Sequence, residues 1–277
     1  MLPLTGKTKI MNLPLSGKWS LRLHKQLSNF VLLRTKWNVK RTSNIPNART
    51  MPDLTALEIG SSRRMSVAIL FFDFEDFTAI TSPLPPEDTL MILNVATTSV
   101  MKVVREWKGT VEKHTGDGVM AIIGTETPDK HKIAREAIEV AQTIKYLMIN
   151  DVIPHLAEHG APALKFRIGV EFGEVLISRI GMQGTNFLTA VGSPANRASK
   201  LESLANPNGI AIGEDLAKNL HPYLHQFLQE GSDLSWNWYY DDGVTPYNYY
   251  HYLFEWPDPE SWPKEIMRIN RLIRSES

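Results

Sequence analysis

Val67-Ala-Ile-Leu-Phe-Phe-Asp73-Phe-Glu-Asp-Phe-Thr78 and Val111-Glu-Lys113-His-Thr-Gly-Asp117-Gly-Val-Met-Ala-Ile-Ile-Gly124 are the two stretches whose reading decides the fold. Each places an aspartate at the edge of an apolar run. Residues 67–72 are continuously apolar, with aromatic and β-branched side chains, which is the pattern of a buried strand. In the second stretch, Thr115-Gly-Asp117-Gly118 stands between Val111-Glu-Lys113-His and the apolar run at 119–123. It predicts a tight hairpin between strands at 110–113 and 119–123. Brought together, Asp73 and Asp117 make a site for hard divalent cations, and therefore for a phosphate-bearing substrate.

Outward from this pair, Phe77 and Thr78 open a short helix, and Pro83-Leu-Pro-Pro86 breaks the chain. A long helix is predicted from Glu87 to about Trp107, ended by Gly109. Residues 129–150 carry Ile133, Ala137, Val140, Ala141, Ile144 and Leu147 on one side, as an amphipathic helix does. Strands are expected at 164–172 and 175–178, a mobile Gly-rich arm at 181–187, and a return to the core at 189–192. Pro194 suits the first turn of a helix running to Leu204. A turn at Asn206-Pro-Asn-Gly209 and a short strand at 210–212 follow. The order β-α-β-β-α-β-(α-β) predicts an α+β, ferredoxin-like fold, with helices packed on one face of an antiparallel sheet.

The flanks divide the chain into three parts. Residues 1–64 form a basic extension with one amphipathic helix at 19–33 and a linker, residues 65–220 the main domain, and residues 221–277 aromatic-rich strands that complete it. In the last part Asp241-Asp242-Gly243 signals a hairpin, and Tyr250, Tyr252 and Phe254 alternate as in a strand. Residues 1–52 hold ten Lys/Arg and no Asp or Glu, which leaves 20 basic and 30 acidic residues for the remainder. This imbalance predicts that the extension docks on the acidic body of its own or a partner subunit. Its helix is expected to pack on a second subunit. The 277 residues include no cysteine, which removes disulfides, thiolate metal sites and cysteine nucleophiles. No apolar run approaches the roughly 20 residues of a membrane helix, and no secretory signal is evident. A soluble, cytoplasmic protein without a transmembrane segment is expected.

Four ordered motifs carry a family resemblance. They are Phe72-Asp73-Phe-Glu-Asp-Phe77-Thr78, Lys113-His-Thr-Gly116-Asp117-Gly118-Val-Met-Ala, Phe166-Arg-Ile-Gly169-Val-Glu-Phe-Gly173-Glu-Val, and Val191-Gly192-Ser-Pro-Ala-Asn196-Arg-Ala-Ser-Lys200-Leu-Glu202. Together they resemble the class III nucleotidyl cyclases, the adenylyl and guanylyl cyclase catalytic domain. The resemblance implies that Asp73 and Asp117, with the Phe74 carbonyl, hold two divalent cations, Mg²⁺ or Mn²⁺. The amides near Phe77 and Thr78 meet the triphosphate, Lys113 and Thr189 read the base, and Asn196 orients the ribose. Lys200 falls where the family has an arginine that steadies the transition-state phosphate, which puts a point charge in place of a bidentate fork. Neighbouring Arg197 is expected to assist in substrate binding. Glu171 stands where many relatives have histidine, and no role is assigned to it.

The resemblance also implies a head-to-tail homodimer with two shared active sites. In the expected division, the lysine and metal aspartates come from one subunit, and Thr189, Asn196 and Lys200 from the other. Among relatives, the chain looks most like the pyrimidine cyclases of bacterial Pycsar antiphage defence. That implies a nucleoside triphosphate substrate, UTP ahead of CTP, and a product-sensing effector protein; no nucleic-acid partner is expected. An adenylyl cyclase of the Lys/Thr type and an inactive nucleotide-binding dimerisation module are the alternatives.

Overall fold

The computed structural model describes residues 15–35, 57–124, 129–183, 185–240 and 242–261, without the side chains of residues 35 and 113–115. Its centre is β1 (Ser62–Phe74). Ala68, Leu70 and Phe72 enter one core cluster, Val67 and Ile69 another, and all five are fully buried. A strand covered on both faces reads as an unbroken apolar run, which is why residues 67–72 show no alternation. β1 begins ahead of the expected Met65, and Ile59 already bridges Arg179. Residues 41–56 of the expected linker lie outside the described residues.

After β1 come α2 (Phe77–Thr81), α3 (Pro86–Glu106), the hairpin β2 (Thr110–Thr115) and β3 (Gly118–Ile123), and α4 (Lys130–Leu147). A π turn (Met148–Val152) then leads into α5 (Ile153–Glu158). The helical path runs on through Pro154. The wider i→i+5 winding makes room for a proline ring that clashes in an α-helix. Next are β4 (Phe166–Met182), β5 (Thr185–Val191), α6 (Ser193–Leu204), β6 (Gly209–Gly213), α7 (Glu214–Asn219), α8 (Pro222–His225), β7 (Leu228–Glu230) and β8 (Tyr249–Tyr252).

The sheet order is β2-β3-β1-β4-β6-β8-β7, with β5 added along the far half of β4. The part β2-β3-β1-β4 is the expected ferredoxin-like arrangement. Two features differ from the expectation. First, β4 and β6 run parallel, so the sheet is mixed. The chain returns from β5 through α6, and a helical crossover of this kind joins parallel strands. Second, helices cover both faces. α3 and α4 pack on the Phe72 side, whereas Ala195 and Ala198 of α6 join Val67 and Ile69 on the other. The predicted arm at 181–187 is also more ordered than expected, because β4 and β5 pair as far as Met182 and Thr185.

The N-terminal helix α1 (Leu21–Thr35) lies against its own chain. Trp19, Leu23, Leu27 and Val31 are buried in the main core, and Trp19 stacks on Trp256 at 5.9 Å. The Ser16 hydroxyl donates to buried Glu139 at 2.6 Å, and Lys18 Nζ sits 4.6 Å from the centre of the Trp107 ring. The expectation that this helix packs on a second subunit is therefore corrected, since its apolar stripe is already covered. At the other end, β8 pairs with β6, and Tyr247, Tyr249, Tyr252, Phe254 and Trp256 are buried.

Candidate active site

Asp73 sits near the end of β1 opposite Arg167 of β4, and Asp117 lies in the two-residue turn of the β2–β3 hairpin. Gly116 gives that turn its left-handed conformation, with φ of 65°. Because Phe72 pairs with Val119, the turn folds back beside the end of β1. The two carboxyl groups come within hydrogen-bonding reach of each other. Burial, and then the charge and contact of Asp117, push the Asp73 carboxyl up to about 7, with Glu202 adding to the effect and the Phe74 amide opposing it. Asp73 Oδ1 is buried with no hydrogen-bond partner among the described residues. A buried, unpaired carboxylate oxygen beside a second carboxylate is costly unless a cation joins them.

Phe77 is buried, and its ring stacks on Phe74 at 5.5 Å, so the backbone is what it can offer a ligand. Thr78 is exposed, and Asp76 ahead of it takes a left-handed conformation with φ of 54°.

Lys113 lies in β2 opposite Met120, directly after a bulge at Glu112. The bulge aims Glu112 across at β5, where Thr189 Oγ1 donates to Glu112 Oε1 at 2.5 Å. Thr189 and the strand position of Lys113 are thus neighbours within one chain. The expected division placed them on different subunits; the fold brings together the two positions expected to read the base.

Asn196 and Lys200 are one helical turn apart on α6, Asn196 exposed and Lys200 half-buried, with the Asp233 carboxylate near Lys200. Arg197 points elsewhere. It is buried, with Nε 3.3 Å from Glu171 Oε2 and a terminal nitrogen 3.6 Å from Asp215 Oδ2. This side chain is committed to the interior, which corrects its reading as a substrate-binding residue.

The sequence reading missed two further groups beside the acidic pair. Glu202 on α6 is pushed up to about 7 by burial and by Asp117, against the pull of Arg167. Arg167 donates to Glu75 at 2.7 Å and to the Ser203 carbonyl at 3.2 Å, tying the end of β1 to the end of α6. The available signal was Gly169, which admits α6 close enough for Glu202 to reach the site. A Cβ there would stand 2.2 Å from both the Ala198 oxygen and the Glu202 nitrogen.

Comparison with known proteins identifies the family of the domain. The adenylate and guanylate cyclase catalytic domain model matches residues 59–234. A cytidylate cyclase of Escherichia coli is 26% identical over 172 residues, covering 60% of this chain and 38% of the relative. A uridylate cyclase of Burkholderia cepacia is 24% identical over 173 residues, covering 61% of this chain and 72% of the relative. The chain spans less than half the length of the cytidylate cyclases it matches, at 38%, 41% and 46%. The adenylyl cyclase CyaB from P. aeruginosa superposes with a TM-score of 0.61 at 20% identity, covering 72% of this chain and 98% of that one. The motifs, the mixed sheet and the family match over the body of the domain converge: this chain belongs to the class III adenylate and guanylate cyclase catalytic domain family.

Proposed function

We propose that the protein converts a pyrimidine nucleoside triphosphate, UTP ahead of CTP, into its 3′,5′-cyclic monophosphate and diphosphate. The observation that carries the cyclase part is the Asp73–Asp117 contact with its unpartnered buried oxygen. This all-oxygen donor pair fits Mg²⁺ or Mn²⁺, which take one or two protein carboxylates and complete their shells with phosphate oxygens and water. Asp73 and Asp117 would hold two such ions with help from the Phe74 carbonyl. When bound, the ions lower the pKa of the ribose 3′-hydroxyl and neutralise the departing diphosphate.

The remaining steps belong to the chain. Asn196 orients the ribose so that O3′ lies in line with the α-phosphorus. A bond forms from O3′ to that phosphorus, the bond to the α–β bridging oxygen breaks with its electrons leaving on diphosphate, and the 3′-hydroxyl proton passes to solvent water. Lys200 meets the charge that develops on the α-phosphate oxygens. Lys113 and Thr189 are assigned to read the base, and the Thr189–Glu112 bond sets the direction of the threonine hydroxyl. Because Thr189 approaches β2 of its own chain, we assign Lys113, Thr189, Asn196 and Lys200 to one subunit and the metal-binding aspartates to the other.

The second subunit is a second copy of this chain. The outer face of the β4–β5 hairpin carries Leu176, Ile180, Met182, Phe187 and Val191, with Ile180 47% and Phe187 57% exposed. Exposed apolar side chains grouped on one hairpin in this way favour association. The pyrimidine reading is supported by the relatives named for cytidine and uridine; UTP is placed first because the Burkholderia relative is matched over most of its length. On the resemblance of its motifs to the Pycsar cyclases, we further propose a role as second-messenger synthase in antiphage defence, acting through a product-sensing effector.

Incubating the protein separately with UTP, CTP, ATP and GTP plus Mn²⁺, and identifying products by mass spectrometry, tests this reading. Cyclic UMP is the expected main product. Cyclic AMP alone would overturn the pyrimidine assignment in favour of the Lys/Thr adenylyl reading, and no product from any nucleotide would favour an inactive module.

A further inference from the structure

β4 presents Gly169, Glu171 and Gly173 in a row on the face beneath α6. The glycines let the helix settle onto the strand: a Cβ at Gly169 would meet the Ala198 oxygen at 2.2 Å, and one at Gly173 would meet Pro194 at 2.5 Å. A floor without side chains brings the helix close but offers little to stop it sliding or turning. The α6 N-terminus also has no side-chain cap. Besides the Arg167–Ser203 bond at its far end, the helix is tied down near its start by a buried polar cluster reached through Arg197.

Glu171 is fully buried between the two glycines. Its Oε2 accepts from the Tyr247 hydroxyl at 2.7 Å and faces Arg197 Nε at 3.3 Å. Its Oε1 accepts from the Phe172 amide at 2.8 Å and the Leu216 amide at 3.3 Å. Tyr247 accepts in turn from the Asp215 amide at 2.8 Å, and its ring carries the Arg197 guanidinium at 4.1 Å. Asp215 closes the cluster on the guanidinium at 3.6 Å. Room for the carboxylate comes from Gly213, where a Cβ would fall 1.7 Å from Glu171 Oε2. The cluster thus joins β4, α6, the β6–α7 junction and the aromatic C-terminal segment. Its arginine is the residue directly after Asn196.

We propose that Glu171 and Tyr247 are positioning residues for turnover, acting through Arg197 to fix α6 and hence Asn196 and Lys200 at the substrate. This gives a role to the glutamate that stands where many relatives have histidine, and to the C-terminal segment. It rests on the assignment of Asn196 and Lys200 to the reacting nucleotide. Neither Glu171 nor Tyr247 touches the substrate, so their loss should leave binding in place and slow the chemical step. A displacement of about 1 Å at a positioned group can cost a hundredfold in rate.

The test compares Tyr247→Phe, Glu171→Gln and Asn196→Ala with the parent, using whichever of UTP, CTP, ATP or GTP the parent turns over fastest with Mn²⁺. Tyr252→Phe is the control, since it removes a buried hydroxyl with no hydrogen-bond partner among the described residues. The expectation for Tyr247→Phe is a kcat lowered about tenfold with KM within about twofold. Tyr252→Phe should keep the parent kcat. Combining Tyr247→Phe with Glu171→Gln should cost no more than the worse single change, because both act through Arg197. An unchanged kcat in folded Tyr247→Phe, or an equal fall in Tyr252→Phe, would overturn the proposal. If Asn196→Ala itself turns over normally, the site assignment fails; if Asn196→Ala is inactive and Tyr247→Phe is not impaired, only the positioning role fails. Tyr247→Phe keeps the ring and its packing on Arg197, so it serves even if Glu171→Gln does not fold.

Discussion

Asp73 buries a carboxylate oxygen beside a second carboxylate, an arrangement that weakens a protein unless it serves binding. Asp73→Asn should therefore abolish Mn²⁺ binding measured by calorimetry and lower turnover by at least about a hundredfold. In the absence of cations its melting temperature should equal or exceed that of the parent. Parent-like turnover in this variant would remove Asp73 from the site. Glu171 supports a different measurement. Its carboxyl is held up at about 7, mainly by burial, against the pull of Arg197, Tyr247 and the Phe172 amide, with Asp215 adding to the rise. The folded state keeps this proton longer than the unfolded chain does. The stabilisation is full below the ordinary glutamate value and is lost as pH climbs to about 7, by up to about 3 kcal/mol. Urea unfolding of Glu171→Gln at several pH values should show a flatter decline from pH 5 to 7 than the parent, and an identical slope would contradict it. The two aspartates were legible in the sequence because each stands at a strand edge inside a motif. Arg197 was not, since adjacent helical residues do not share a face: Asn196 looks outward while its neighbour turns to Glu171.

The elements show where local patterns suffice and where packing decides. The unbroken apolar run of β1 and the Gly116–Asp117 turn announce the central strand and hairpin, because backbone sterics and burial act locally there. The parallel β4–β6 pair and the placement of α6 on the opposite face depend on how β5 returns the chain, which no single stretch encodes. Likewise, the polar sequence 181–187 suggested a free arm, but antiparallel pairing needs only backbone groups, and the ladder extends through it. The glycines of β4 are the element-scale device that seats α6. Gly169→Ala places a methyl 2.2 Å from two backbone atoms of α6, and backbone cannot yield as a flexible side chain can. Such overpacking should cost about 1–3 kcal/mol in chemical denaturation and lower turnover as α6 lifts away from β4. A variant with parent-like stability and rate would mean that α6 is not tightly seated.

At the scale of the whole molecule, one chain holds both halves of the chemistry but is proposed to deliver them to different sites. Phe187→Asp, on the outer face of the β4–β5 hairpin, should yield a monomer by sedimentation and little turnover, with the fold retained. The more discriminating test is complementation. If two inactive variants are co-expressed and pair at random, about half of the dimers are mixed. Mixing Asp73→Ala with Asn196→Ala then leaves each mixed dimer one intact site, so activity should return to about a quarter of the parent. Both divisions of the site predict this rescue. Asp73→Ala with Lys113→Ala separates them. If lysine and aspartates of one chain serve the same site, both sites of the mixed dimer are damaged and activity stays absent. If Lys113 works beside Thr189, as the Thr189–Glu112 bond favours, one site receives Asp73 from the Lys113→Ala chain and Lys113 from the Asp73→Ala chain. The same quarter should return, and its absence, alongside successful rescue in the Asp73/Asn196 pair, would restore the first division.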